Sequence, residues 1–395
     1  MDPITHALSG AVAARAFVPV SQDDGPSRVT RWAVILGSIF PDIDVVGKPF
    51  VAHDFSTICF HRSVTHSLVC LPLWAVLFAF GAAWFCRRRG IAAPGRAAIG
   101  VAFGAGIALH ILFDCITSFG TMAFSPLSWR RIQWDWTFIL DLSLTGVLLF
   151  FLLLSWVAER AEHRARRAAV MFALMAVLVG GFVVATLGLD QAVAAPAVAS
   201  ALVLSALPLL AAWSGRSLVL TPTAWCRVGV LAAAAYIGMD AWAHSRALDR
   251  VREFAAAERL DVVEAGALPL PPNLNLWQGF ARTPDATYEW TYSLAHPPDA
   301  VMLPSHITRN VAGPCPAELW HVPQVGIWLG FARFPTVVCS QSGGFTVAEF
   351  ADLRFRRPAI GLRPDDRSQP RPMPFTWRIT LNRDGQVLTE GWVTR

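Results

Sequence analysis

The sequence predicts a mostly α protein, a polytopic helical membrane bundle followed by a C-terminal β-rich soluble domain. Three observations carry this. Of 395 residues, 54% are hydrophobic and only 15% are charged, against roughly 25% charged in an ordinary soluble domain. The first 245 residues contain six long apolar stretches. Beyond them the texture changes to frequent prolines and short alternating runs. The expected division is therefore a membrane domain over 1–245 and a β-rich domain over 246–395.

The six apolar stretches are 66–86, 97–119, 137–157, 168–188, 193–213 and 224–243. Each approaches the roughly 20 apolar residues that a helix needs to cross a bilayer core. Arginines gather in alternate connections: Arg87, Arg88, Arg89 and Arg96 after the first, Arg160, Arg164, Arg166 and Arg167 after the third, and Arg216 and Arg227 after the fifth. The 120–136 connection carries only Arg130 and Arg131, and 189–192 none. Positive charge marks the cytoplasmic side. Residues 120–136 and everything after 244 are then expected on the opposite, extracytoplasmic side of a bacterial-type inner (plasma) membrane.

The first 60 residues are less regular. Asp2 before Pro3 is a strong helix start, a capping side chain followed by proline at the first helical position. Residues 4–17 read as a short apolar helix ending near Pro19. A polar loop from Ser21 to Thr30 leads to a second apolar stretch, 32–40, stopped by Pro41. Both are short for a span and read as re-entrant or interfacial helices. In the C-terminal region, Pro269, Pro271, Pro272, Pro284, Pro297 and Pro298 punctuate the chain. Thr287 to Ser293 and Phe375 to Leu381 alternate as strands, the second followed by a turn at Asp384-Gly385.

The net charge of +5, from 33 Lys+Arg against 28 Asp+Glu, is small and scattered, so nucleic acid is not an expected partner. No basic stretch precedes an apolar core at the N-terminus, so insertion is expected to rely on the spans themselves. Seven cysteines occur without a CxxC spacing, which argues against a cysteine zinc knuckle. Cys315 and Cys339 alone lie in the C-terminal region, where an oxidising location would allow them to pair.

Ionisable residues in or beside apolar helices are costly and mark function. Here they are His6, Asp42 and Asp44, His61 and His66, His110 and Asp114, then Asp135 and Asp141. Histidine with carboxylate is the ligand set of zinc and its first-row neighbours. His110 and Asp114 are four apart on one helix face. His66 opens the first span, and antiparallel topology brings it to the membrane side where the second span ends. The plainer readings are a hydrogen-bonded core histidine for His6 and helix caps for Asp135 and Asp141. His53, His163 and His244 read as surface or interfacial groups. Arg62, Arg130 and Arg131 suit either lipid-headgroup anchoring or a substrate phosphate.

The start Met1-Asp2-Pro3-Ile4-Thr5-His6-Ala7-Leu8-Ser9-Gly10, then Pro41-Asp42-Ile43-Asp44, His61-Arg62-Ser63-Val64-Thr65-His66-Ser67 and His110 with Asp114, resembles the YdjM-like family of membrane-bound, metal-dependent hydrolases. The resemblance covers roughly residues 1–150. Pro272-Asn273-Leu274-Asn275-Leu276-Trp277 and Asp352-Leu353-Arg354-Phe355 look like the longer members of that family. The order His, Asp, His, His-x-x-x-Asp is similar, more distantly, to the zinc-dependent phospholipase C and single-strand nuclease superfamily. That similarity implies His6, Asp42, His66, His110 and Asp114 as ligands of one or two divalent ions, zinc being the metal expected. Later His and Glu ligands of that superfamily have no counterpart here.

The expected activity is metal-assisted hydrolysis of a phosphoester or lipid-linked substrate at the extracytoplasmic membrane face. Asp42 or Asp44 would accept the proton of the attacking water, and Arg62, Arg130 and Arg131 would bind the substrate phosphate. The alternative is a non-enzymatic, metal-stabilised membrane scaffold or assembly factor whose C-terminal domain binds a partner. There Trp277, Trp290, Trp320 and Trp328 serve either recognition or the core. A metal transporter fits less well, because the fourth and fifth stretches carry no internal ionisable residue. The orientation has a direct test: a phosphatase-type reporter fused after residue 395 is expected to be active, and a cytoplasm-dependent fluorescent reporter there is expected to stay dark.

Overall fold

The computed structural model describes residues 1–18, 24–46, 55–188, 195–215, 220–270, 275–295, 304–356, 373 and 375–393. His53, Arg216, Pro297, Pro298 and residues 189–192 lie outside the described residues. The chain divides into two compact units, Met1–Pro49 with Arg62–Ala241, and Phe50–His61 with Trp242–Arg395.

In the first unit, helix α1 (Pro3–Phe17) begins as its sequence requires: Asp2 accepts the Thr5 backbone N–H at 3.0 Å, and Pro3 opens the first turn. Helix α2 is longer than the apolar stretch 32–40, running Gly25–Ile39. Asp24 accepts the Ser27 N–H at 2.8 Å and Pro26 occupies the first turn, so Ser27, Arg28 and Thr30 join the helix instead of the expected polar loop. Pro41 ends it in a 3₁₀ turn, Phe40–Asp42, followed by the single helical turn Ile43–Val46.

Each of the six expected apolar stretches contains a helix, α3 (Leu71–Arg89), α4 (Arg96–Cys115), α5 (Leu142–Glu159), α6 (Arg164–Gly188), α7 (Ala195–Trp213) and α8 (Pro222–Ala257), the third starting at 142 and not at the expected 137 because Asp141 caps it. Among the described residues, three runs are long and apolar enough to cross a membrane: Arg96–Cys115, Leu142–Glu159 and Ala161–Leu187. The last turn of α3 is Arg87, Arg88 and Arg89, which lowers its apolarity. His66 does not open α3; it closes a separate 3₁₀ turn, Val64–His66, because Pro72 sets the helix start further on. Helix α4 stops at Cys115, short of the expected 119, and α8 continues well past the expected 243.

Close packing joins α2 to α4. A Cβ at Gly37 would overlap the Phe103 carbonyl oxygen, and one at Gly106 would overlap that of Val34. Backbones that meet this closely need glycine on both sides, the device by which apolar helices associate without a hydrophobic driving force. Ile99, Phe103, Ile107 and Ile111 fill the core beside the contact.

The second unit is built on two sheets. Strands β1 (Glu264–Pro269), β2 (Leu276–Arg282), β3 (Ala286–Ser293) and β4 (His306–Arg309) form an antiparallel meander. Strands β5 (Val311–Ala312), β6 (Pro335–Ser342), β7 (Phe345–Asp352), β8 (Trp377–Leu381) and β9 (Val387–Trp392) form the second sheet, antiparallel except for β5 against β6. Gly385 takes the positive φ (79°) of the turn between β8 and β9. Ala247, Val251 and Ala255 of α8 pack on Trp277, Ala281 and Trp290 of the first sheet. Cys315 and Cys339 form a disulfide. Of the four tryptophans singled out, Trp277, Trp290 and Trp328 are core and Trp320 is exposed. Phe55 is buried against Trp377, with ring centroids 4.2 Å apart, which ties the segment around it to this unit.

The glycine contact predicts a specific fragility. Gly37→Ala or Gly106→Ala is expected to destabilise the protein by about 1–3 kcal/mol through overpacking, read as a lower unfolding midpoint in detergent. Gly81→Ala in α3, where a Cβ meets nothing, is expected to leave that midpoint unchanged or raise it slightly.

Candidate metal centre

Four side chains converge at one end of α4. His110 and Asp114 come from its last two turns, His66 from the 3₁₀ turn before α3, and Asp42 from the 3₁₀ turn after α2. Each offers one ligand atom, and all four atoms lie within 4.8 Å of one another. His66, His110 and Asp114 are fully buried; the Asp42 side chain keeps 18% of its surface.

The electrostatics of this cluster are unusual. His110 Nδ1 donates to the Ser38 carbonyl oxygen at 2.8 Å, an atom that can only accept, so in the neutral ring its Nε2 presents a lone pair. His66 Nδ1 faces the Thr65 hydroxyl at 3.0 Å and the Asp44 carboxylate at 3.5 Å, which turns its Nε2 inward likewise. The two Nε2 atoms are 3.1 Å apart. His66 Nε2 lies 3.3 Å from Asp114 Oδ2 and 3.6 Å from Asp42 Oδ1; His110 Nε2 lies 3.4 and 3.6 Å from the same atoms. With both rings neutral and Nδ1-protonated, two imidazole lone pairs and two carboxylates face one another, a set that a cation would balance. The second Asp42 oxygen is buried and accepts no hydrogen bond among the described residues, and neither does Asp114 Oδ2.

These separations test the fit of a metal. Tetrahedral zinc with nitrogen and carboxylate oxygen at about 2.0–2.1 Å places its ligand atoms about 3.3–3.4 Å apart. Five of the six edges, 3.1 to 3.6 Å, bracket that value, and the sixth, between Asp42 and Asp114, is within 4.8 Å. The donor set, two imidazoles and two carboxylates, suits zinc or another first-row divalent ion.

The remaining expected residues surround this core. His6, expected among the ligands, stands outside the four converging atoms: its ring stacks on His110 with centroids 3.6 Å apart, and its Nε2 is 3.2 Å from Asp114 Oδ1, the oxygen turned away from the cluster. That same oxygen meets the Met1 nitrogen and, at 3.1 Å, Arg62 Nη2. Arg62 is buried in the left-handed conformation (φ 62°), its Nη1 donating to Thr117 Oγ1 at 3.0 Å. Its guanidinium is committed to Asp114 and Thr117, not displayed to solvent. Asp44 accepts the Arg62 N–H at 3.0 Å and supports His66. Burial works against the charge on Asp42, but the neighbouring imidazoles of His66, His110 and His6 outweigh it and bring its pKa to about 2.

Arg131 Nη1 donates to the Gly120 carbonyl at 3.0 Å, whereas Arg130 is exposed. Asp141 caps α5, accepting from Ser143 and Leu144 N–H at 2.9 Å each, as the plainer reading held. Asp135 is buried at a positive φ of 57°. His163 and His244 lie in other elements, the second against Trp277. Sequence reasoning missed Ser38, Thr65 and Thr117. Ser38 acts through its backbone carbonyl, which no side-chain pattern announces; Thr65, one residue before His66, was the one findable signal.

The model of a family described as YdjM inner membrane protein matches residues 1–189, the stretch that holds all four converging side chains. No curated protein and no solved structure matches the chain. Over its first 189 residues the chain is therefore similar to a family of inner membrane proteins, and its long apolar helices associate it with a lipid bilayer.

Proposed function

We propose that this protein is a membrane-bound, metal-dependent hydrolase acting on a phosphoester or lipid-linked substrate at the extracytoplasmic membrane face. The observation that carries the reading is the convergence of Asp42, His66, His110 and Asp114, with five of the six separations close to those around a tetrahedral divalent ion. A divalent ion held there supplies the Lewis acidity that lets water attack an ester at neutral pH. Asp42, ionised and alone of the four in touch with solvent, is placed to accept the proton of the attacking water. Asp44 and Thr65 orient His66, the Ser38 carbonyl orients His110, and Arg62 with His6 fixes the rotation of Asp114. Arg130 is the exposed cation available to a substrate phosphate. The arginine-rich connections support the extracytoplasmic orientation.

One observation favours the alternative, a metal-stabilised scaffold or assembly factor. Structural zinc sites are closed by four protein ligands, and catalytic sites usually keep one position open. The partial exposure of Asp42 weighs on the side of catalysis, because it is the ligand able to yield its position.

Elemental analysis of detergent-purified protein with a hydrolysis screen on phosphoester and lipid substrates separates the two readings: both predict bound metal, and only the first predicts turnover. His110→Ala and Asp114→Ala are each expected to lower metal content and abolish hydrolysis. The double variant is expected to add little, since residues serving one centre fail together. His163→Ala and His244→Ala are expected to change neither; full metal content in both single variants would remove the site. Asp44→Asn, one step out, is expected to weaken metal affinity by about 10–100-fold, measured by competition with a chelator.

A further inference from the structure

The connection between α4 and α5, residues 116–141, emerges from the end of α4 that carries the site. Its backbone is well ordered by hydrogen bonds. Thr121 and Ile132 exchange both N–H to carbonyl bonds at 2.9 Å. Met122 N–H donates to the Arg62 carbonyl at 2.9 Å, Leu68 N–H to that of Ala123 at 2.9 Å, and Trp134 N–H to that of Cys115 at 2.9 Å. The connection is thus fastened to the turn before His66 and to the last turn of α4. Yet it displays Leu127 at 80% exposure and Trp129 at 55%, and Phe124, Ile139 and Leu140 are exposed as well. In a water-facing connection so many exposed apolar side chains would be a liability.

Two facts identify what covers it. Both flanking helices are among those long and apolar enough to cross a membrane, so the connection lies at a membrane face. Its exposed charge is cationic: Arg130 is exposed, and Asp135 is buried. Tryptophan and arginine beside aliphatic side chains are the composition of the interface between headgroups and acyl chains. We propose that this connection is a lipid-contacting platform, with Leu127 and Trp129 seated in the upper acyl region of the bilayer and Arg130 on lipid phosphates. The paired backbone of Thr121 and Ile132 suits that location, where unpaired N–H and carbonyl groups are costly. Taken with the hydrolase reading, on which this last step rests, the platform makes the substrate an amphiphile of the same leaflet, reaching Asp42 and Arg130 from the membrane.

The test uses the full chain in nanodiscs of phosphatidylcholine and phosphatidylglycerol, with Cys59 and Cys70 replaced by serine. An environment-sensitive fluorophore is attached at Leu127→Cys, at Ile139→Cys as a second site, and at Asp384→Cys in the turn between β8 and β9 as a control. At 127 and 139 the expected result is a blue-shifted emission, loss of signal with brominated lipids, and protection from aqueous iodide; Asp384→Cys is expected to show the reverse. Iodide quenching at 127 and 139 would overturn the platform, and so would protection from both quenchers, which means a protein cover. No turnover is needed for this measurement. Failure here would leave the hydrolase reading standing, and a lipid-seated connection on an inactive protein would do the opposite.

Discussion

Two imidazoles and two carboxylates meet in the apolar end of a helical bundle, and the elements around them are arranged to hold that convergence. Three of the four groups are held from behind. The Ser38 carbonyl takes the far nitrogen of His110, and Thr65 with Asp44 takes that of His66. Arg62 and His6 take the outward oxygen of Asp114. In a low-dielectric surrounding an unbalanced group of this kind costs several kcal/mol, so it persists only where its supports are fixed and a cation is welcome.

Those supports depend on backbone geometry more than on side-chain chemistry. Ser38 reaches His110 because its neighbour Gly37 and the facing Gly106 let α2 lie directly on α4. Arg62 reaches Asp114 through a left-handed backbone that reverses the chain just before His66. A bulkier contact at the first position or a more extended chain at the second would leave the same ligands in the sequence and no site. The centre is therefore a property of how α2, α4 and the 3₁₀ turns cross, with α1 closing it from the side.

The second unit obeys ordinary soluble-domain rules. Trp277 and Trp290 sit in the core between α8 and the first sheet, the disulfide closes the stretch from Cys315 to Cys339, and two buried carboxyls are paired: Glu289, whose pKa burial raises, accepts from Gln278 at 2.7 Å and lies 3.3 Å from Arg356, and Asp352 lies 2.8 Å from Arg354. Among the described residues of this unit, no comparable cluster of metal-ligating side chains occurs, and the proposed chemistry is placed in the helical part.

The sequence by itself determined the helical bundle, the β-rich second domain and the candidates for the site, because apolar length, alternation and misplaced ionisable residues are local properties. The i, i+4 spacing of His110 and Asp114 fixed one edge of the cluster outright, and Asp2 before Pro3 fixed the start of α1. Other features depended on contacts far apart in the chain. The Asp24 cap lengthened α2 into a stretch that reads as loop, His66 fell in a turn ahead of its helix, and His6 took a place beside the four converging atoms. Arg62, which reads equally as a phosphate ligand, is turned inward by Asp114, 52 residues away in the chain. Only tertiary structure decides such matters, since which oxygen of Asp114 faces the centre depends on what grips the other one.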